Sequence, residues 1–216
     1  MAQPAAEQST SPTSPTSPTS PTSPTSPASP ASPASPASPA IPAGPVAEPC
    51  ALLTGLPPVA DPRTRLLLLG SFPGVASLRA QQYYGHARNQ FWPILSALWG
   101  VDLCAMPYAQ RLDVLRAHGL GLWDVYAQCR RPGSLDSAIT DAQPNPLAAL
   151  AATLPALAAI AHNGGESARA MKVTAALGLP VYRLPSTSPA NASWSFERKR
   201  AAWAAVFGAH GMMLAL

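Results

Sequence analysis

The chain has 216 residues, 27 of them proline, and its 14 Lys or Arg against 10 Asp or Glu give a formal net charge of +4. Cys50, Cys104 and Cys129 are single and far apart with no CxxC pair, which argues against a zinc site or an iron-sulfur cluster, so no metal and no cofactor is expected. No apolar run approaches bilayer length, and Met1 to Thr10 has neither a basic start nor an apolar stretch, so a cytoplasmic chain with no membrane partner is expected.

Residues 11–39 carry a Ser-Pro-Thr repeat that passes into Ser-Pro-Ala. Proline at every third place and the lack of any large apolar side chain leave too little surface to bury, so residues 1–48 are read as a disordered tail sampling polyproline II. From 49 to 216 the composition is that of one globular domain. All the basic residues lie beyond Pro62, and most are arginine, which is compatible with a phosphate-bearing partner.

Residues 65–69, a short leucine run stopped by "GSFPG", read as a buried parallel strand. A loop rich in aromatic and amide groups follows, "QQYYGHARN". The spacing of Phe91, Ile94, Leu95 and Leu98 then predicts a helix over 90–98, with Phe91 and Trp92 in the core. A second helix is expected over 107–117 and a second strand over 119–125, followed by a polar loop over 127–134. Asn145 as cap and Pro146 as first helical residue open a helix to 154. A strand over 157–161, a helix over 166–177, a strand over 181–184 and a helix over 193–207 complete the domain.

Strands alternating with helices predict a parallel sheet covered on both faces, whose ligand crevice lies beyond the carboxyl ends of the strands. Four polar segments, "GSFPG", "DVYAQCRRPGS", "HNGGES" and "PSTSPANAS", leave the strands at that edge. Singly, their residues have ordinary readings: Asn89 as a helix cap, His86 as a loop histidine, Tyr83 and Tyr84 as packing groups, Asn163 as a turn residue, Asp124 as a loop cap or a carboxylate at the crevice. No Ser-His-Asp elbow, Walker loop, GxGxxG or HExxH is present.

Three segments, "GSFPGVAS", "QYYGHARNQFW" and "PSTSPANASWSFERKR", resemble the uracil-DNA glycosylase superfamily and most closely its hypoxanthine-DNA glycosylase branch, over most of residues 63–207. The resemblance implies a three-layer α/β/α sandwich around a short, mainly parallel four-stranded sheet. It implies a monofunctional DNA glycosylase that hydrolyses the N-glycosidic bond of a flipped deaminated base, with hypoxanthine first. The rivals are action on uracil or thymine in mismatches, or a catalytically silent nucleic-acid-binding module. Mismatch-specific relatives carry an asparagine in a GINPG motif where this chain has Ser71 and Phe72, so the resemblance moves the water-positioning amide to Asn89. It assigns Tyr84 to stacking on the base and the loop Ser186, Thr187, Ser188, Pro189, Ala190 and Asn191 to entering the duplex. Ser71 and Asp124 are further catalytic candidates, and Phe72 and His86 line the base site. Asn163 is the candidate reader, because one amide can pair with the adjacent carbonyl and N–H of hypoxanthine. The expected partner is DNA with deaminated bases, met by a monomer.

Overall fold

The computed structural model describes residues 51–212; the tail over 1–48, Cys50 and the last four residues lie outside them. The elements run β1 (Leu52–Thr54), β2 (Leu66–Gly70), α1 (Val75–Ala80), α2 (Phe91–Trp99), α3 (Tyr108–Ala117), β3 (Leu120–Asp124) and β4 (Tyr126–Arg130). They continue with β5 (Thr140–Pro144), α4 (Leu147–Ala152), β6 (Ala159–Asn163), α5 (Met171–Ala175), β7 (Val181–Leu184) and α6 (Phe196–Ala209).

The leucine run is the centre of the molecule. β2 pairs in parallel with β3 on one side and β6 on the other, and β6 pairs in parallel with β7, so the sheet order is β3-β2-β6-β7. A strand with neighbours on both edges and helices on both faces has no polar side, which is why four consecutive leucines fit and all are fully buried. Alternation divides them: Leu66 and Leu68 pack with side chains of α2, α3 and α6, whereas Leu67 and Leu69 pack with Leu147 and Leu150 of α4 and with Leu177. Three layers result, with the four-stranded parallel sheet in the middle as expected.

A second, antiparallel sheet of order β1-β4-β5 was not anticipated. The expected polar loop after the second strand therefore contains a strand over most of its first half. Its signal is absent from the sequence for a physical reason: β5 is exposed along its whole length, and β4 pairs with it through two register shifts, so neither shows an apolar face. α1 lies between "GSFPG" and "QQYYGHARN", where no helix was expected. Its six residues bury only Ser77, whose hydroxyl accepts from Gly85 N at 3.0 Å.

Helix ends shift in three places. Asn145 does not cap α4; its Nδ2 donates to Asp124 O at 2.9 Å and ties the loop to the end of β3. The 166–177 helix is a 3-10 turn (Ser167–Ala170) followed by the short α5. There His162 is fully buried, with Nδ1 2.9 Å from Ser167 Oγ and Nε2 2.9 Å from Thr174 Oγ1. Ser167 Oγ donates to Leu69 O, so Nδ1 carries the proton that it receives. α6 begins at Phe196 because Ser195 caps it, its Oγ accepting from Arg198 N at 3.3 Å. Among the described residues no helix is long and apolar enough to cross a membrane.

Candidate active site

β2 ends at Gly70 opposite Asp124 of β3, and β6 ends at Asn163 opposite Leu184 of β7, so four chain segments leave the sheet at one edge. They enclose a cavity of about 910 Å³ together with the segment between α1 and α2. Every candidate site residue read from the sequence lines it: Ser71, Phe72, Tyr84, His86, Asn89, Asp124, Asn163 and the loop from Ser186 to Asn191.

The floor is built around Gly70. A Cβ there would lie 2.3 Å from Asp124 Oδ1 and 3.7 Å from the Tyr84 hydroxyl, so only glycine lets these two groups face the same spot. Asp124 is 4 % exposed and its Oδ2 is buried without a hydrogen-bond partner among the described residues. Burial pushes its carboxyl up to about 7; the nearby Asp136 adds to the rise and Arg131 opposes it.

One wall is a polar cluster. Ser71 Oγ donates to Asp136 Oδ1 at 2.8 Å, and Arg131 Nη1 lies 3.6 Å from the same oxygen. Burial also raises the Asp136 carboxyl, against the opposing Ser71 bond and Arg131 charge. The buried Arg131 donates to Pro73 O and places its guanidinium 5.2 Å from the Phe72 ring, while its Nε has no partner among the described residues. Phe72 is thus a packed wall under a cation, and Ser71 is engaged with a carboxylate.

Asn163 holds the opposite wall. Its Oδ1 accepts from Thr187 N at 3.0 Å, while Nδ2 donates to Thr187 Oγ1 at 3.0 Å and to the Tyr84 hydroxyl at 3.1 Å. Both amide hydrogens and one oxygen lone pair are thereby in use, so the amide predicted to read a base is already paired within the protein. Tyr84 has the left-handed φ of 55° and stacks on Phe91 with centroids 3.9 Å apart, which fixes its ring and raises its hydroxyl pKa through burial.

Asn89 sits at the mouth. Its Oδ1 accepts from Phe91 N at 2.9 Å, a cap-like bond at the start of α2, and its Nδ2 has no partner among the described residues. His86 is exposed, with Nδ1 accepting from Arg88 N at 3.1 Å. The loop after β7 is held on itself: Asn191 Nδ2 donates to Ser186 O at 3.0 Å, Ser188 N to Ser186 Oγ, and Ala190 N to Ser188 Oγ. Thr187 is fully buried, and its carbonyl accepts from Gln90 N at 3.0 Å. Pro189 and Ala190 form the exposed tip.

Several residues of the site were invisible to sequence reasoning. Lys199, 2 % exposed, donates from Nζ to Gln90 Oε1 at 2.8 Å and to Asn191 O at 2.9 Å, and burial lowers its pKa. It fastens the Asn89 segment to the loop after β7. Trp203 Nε1 anchors that loop from below through Pro185 O at 3.2 Å. Trp194, with Arg198 4.5 Å above its ring, and the 60 % exposed Leu135 line the same cavity. In "SFERKR" a buried lysine cannot be told from its solvated neighbours; the aromatic before that run was the one available signal.

A family model described as the Uracil DNA glycosylase superfamily matches residues 57–207. Two proteins named hypoxanthine DNA glycosylase, from Methanosarcina barkeri and Methanosarcina acetivorans, are each 38 % identical over 153 residues, 71 % of this chain and 96 % of theirs. The solution NMR structure of a Methanosarcina acetivorans protein, provisionally named a uracil DNA glycosylase, superposes with a TM-score of 0.67 at 37 % identity. That likeness covers 73 % of this chain and 97 % of the other.

Proposed function

Since this chain belongs to the uracil DNA glycosylase superfamily, we propose that it is a monofunctional DNA glycosylase that removes hypoxanthine from DNA, acting as a monomer. The observation that carries the proposal is the meeting of Tyr84 and Asn89, Asp124, and Asn163, from three distant segments, around one cavity flanked by an exposed Pro189-Ala190 tip. The names of the two Methanosarcina relatives support hypoxanthine as the base.

A glycosidic bond inside stacked DNA is out of reach, so the nucleotide is rotated out at a cost of a few kcal/mol, least for a mispaired base such as inosine. Pro189 and Ala190 fill the space it leaves. Tyr84, backed by Phe91, offers its remaining face for stacking, a contact worth about 1–3 kcal/mol per base. Cleavage passes through an oxocarbenium-like sugar. An amide is no strong base, so Asn89 orients the attacking water through its unengaged Nδ2 and the second lone pair of Oδ1. Asn163 reads the base only by giving up bonds to Thr187 and Tyr84, which hypoxanthine can replace and adenine, with donor and acceptor reversed, cannot.

Labelled duplexes holding inosine, uracil or a G:T mispair, incubated with the protein and then treated with alkali, test the proposal. Inosine strands break fastest, and Asn89→Ala lowers that rate about 10²-fold or more while folding and DNA binding persist. Faster cleavage at uracil would move the assignment to a uracil enzyme, and binding without breaks in any duplex would make the chain a silent binding module.

A further inference from the structure

We propose that Asp124 is the acid that protonates a ring nitrogen of the departing base, which makes the site one for purines; this rests on the glycosylase reading above. Hypoxanthine leaves from N9 and keeps two basic ring nitrogens, N3 and N7, that can take a proton as the bond breaks. Uracil has no counterpart to them. A site that supplies a proton there gains nothing for a pyrimidine and a great deal for a purine.

Position separates Asp124 from the water side of the reaction. It stands on the floor, at the end of β3, facing the spot shared with the Tyr84 hydroxyl, which in turn is bonded to Asn163. Asn89 is at the mouth, beside the exposed His86, Ala87 and Arg88. In the proposed pose the floor residues meet the base and the mouth residue meets the sugar. Asp124 is also equipped to hold a proton. Its Oδ2 is buried with no donor among the described residues to stabilise a negative charge, and its backbone is pinned by Asn145 on one side and by the β2 register on the other. The charged and titratable groups around it are Asp136 and Arg131, with Ser71 and Glu166 acting through Asp136, and the hydroxyls of Tyr83 and Tyr84, both of which feel its charge. Asp136 and the loss of hydration favour the protonated acid; Arg131 alone opposes them, so the carboxyl is held at about 7, where a general acid works best at neutral pH.

The step balances. As the C1′–N9 bond breaks, its electron pair enters the purine ring while the Asp124 proton passes to N7 or N3, so neutral hypoxanthine departs. Water adds to C1′ and releases one proton to solvent, and solvent returns one proton to Asp124. No other reactant is needed.

The test is the single-turnover rate on an inosine duplex from about pH 5.5 to 9, for the wild type and for Asp124→Asn. For the wild type the rate falls about tenfold per pH unit above about pH 7, and Asp124→Asn is slower by about 10²-fold or more with that decline gone. A rate that rises through this range would make Asp124 a base, a flat profile would make it structural, and a variant that keeps the decline would place the acid elsewhere; each overturns the proposal. Because the wild-type profile decides by its sign, the test stands even where the variant folds poorly. A wild type that leaves inosine intact overturns the glycosylase reading itself, a result distinct from all of these.

Discussion

Replacing Lys199 by methionine tests how the mouth of the site is held. The substitution keeps length and removes the ammonium that bridges Gln90 Oε1 and Asn191 O, at 2.8 and 2.9 Å. Each charge-assisted bond contributes about 1.5–3 kcal/mol, and each acceptor left without a donor costs about 1–3 kcal/mol when water cannot reach it. Against this, methionine removes the desolvation cost of a buried cation, several kcal/mol in magnitude. Gln90 and Asn191 are half-buried, so water can take over part of the pairing, and the net loss is about 2 kcal/mol. For a domain of this size that lowers Tm by about 4–8 °C. Gln90 adjoins Asn89 and its amide holds Thr187, so excision of inosine also falls, by about 10- to 10²-fold. Thermal unfolding at neutral pH and single-turnover cleavage measure both, with the exposed Lys172→Met on α5 as control. A Tm within about 1 °C of wild type together with an unchanged rate would show that the bridge contributes nothing, and the coupling between mouth and loop would have to be abandoned.

Asp124→Asn has a second consequence, in stability. The folded carboxyl is raised to about 7, so its proton helps folding below the unfolded value of 3.8 and that help is lost as pH rises toward 7; the neutral amide escapes the loss. Denaturant titrations should find the variant more stable than wild type at pH 8, by on the order of 2–4 kcal/mol, and the two converging near pH 4. His162 behaves in the opposite sense. Burial lowers it to about 4 from 6.5, so its contribution is complete above 6.5 and declines as pH falls toward 4, by about 3 kcal/mol. His162→Gln removes that part of the acid sensitivity, and an unchanged slope between those pH values would count against it. Deleting residues up to Ala47 leaves Tm and excision unchanged, because a repeat of Ser, Pro, Ala and Thr offers no side chain large enough to join a core; a marked drop in either contradicts the reading of that segment.

The parallel sheet was legible because β2, β3 and β6 are buried on both faces and because its strands end at abrupt polar breaks: Leu66 to Leu69 before "GSFPG", and the run ending at Ala161 before "HNGGES". From strand order alone the four polar segments had to share an edge, and the cavity lies there. What escaped lacks a period. β1 has three residues, β5 is exposed throughout, β4 buries only Cys129, and β4 pairs with β5 through two register shifts, so nothing repeats that a pattern could register. Pairing within the site escaped for another reason. That Asn163 spends its amide on Thr187, that Asn191 closes its own loop, and that Arg131 and Lys199 are buried cations are facts of three-dimensional neighbourhood between residues up to 109 positions apart.

Under the proposed reading of Asn163 as the residue that reads the base, its prior engagement makes base selection a matter of exchange. Its three bonds to Thr187 and Tyr84 exist before any nucleotide arrives, so a correct base would replace two of them and gain little, whereas an incorrect one would forfeit what was there. On that reading discrimination would be large while the hold on a liberated base stayed weak, so a cleaved purine would drift off without stalling the next turnover. The same swap would loosen Thr187, so occupancy of the slot would be felt in the loop from Ser186 to Asn191, proposed above to enter the duplex.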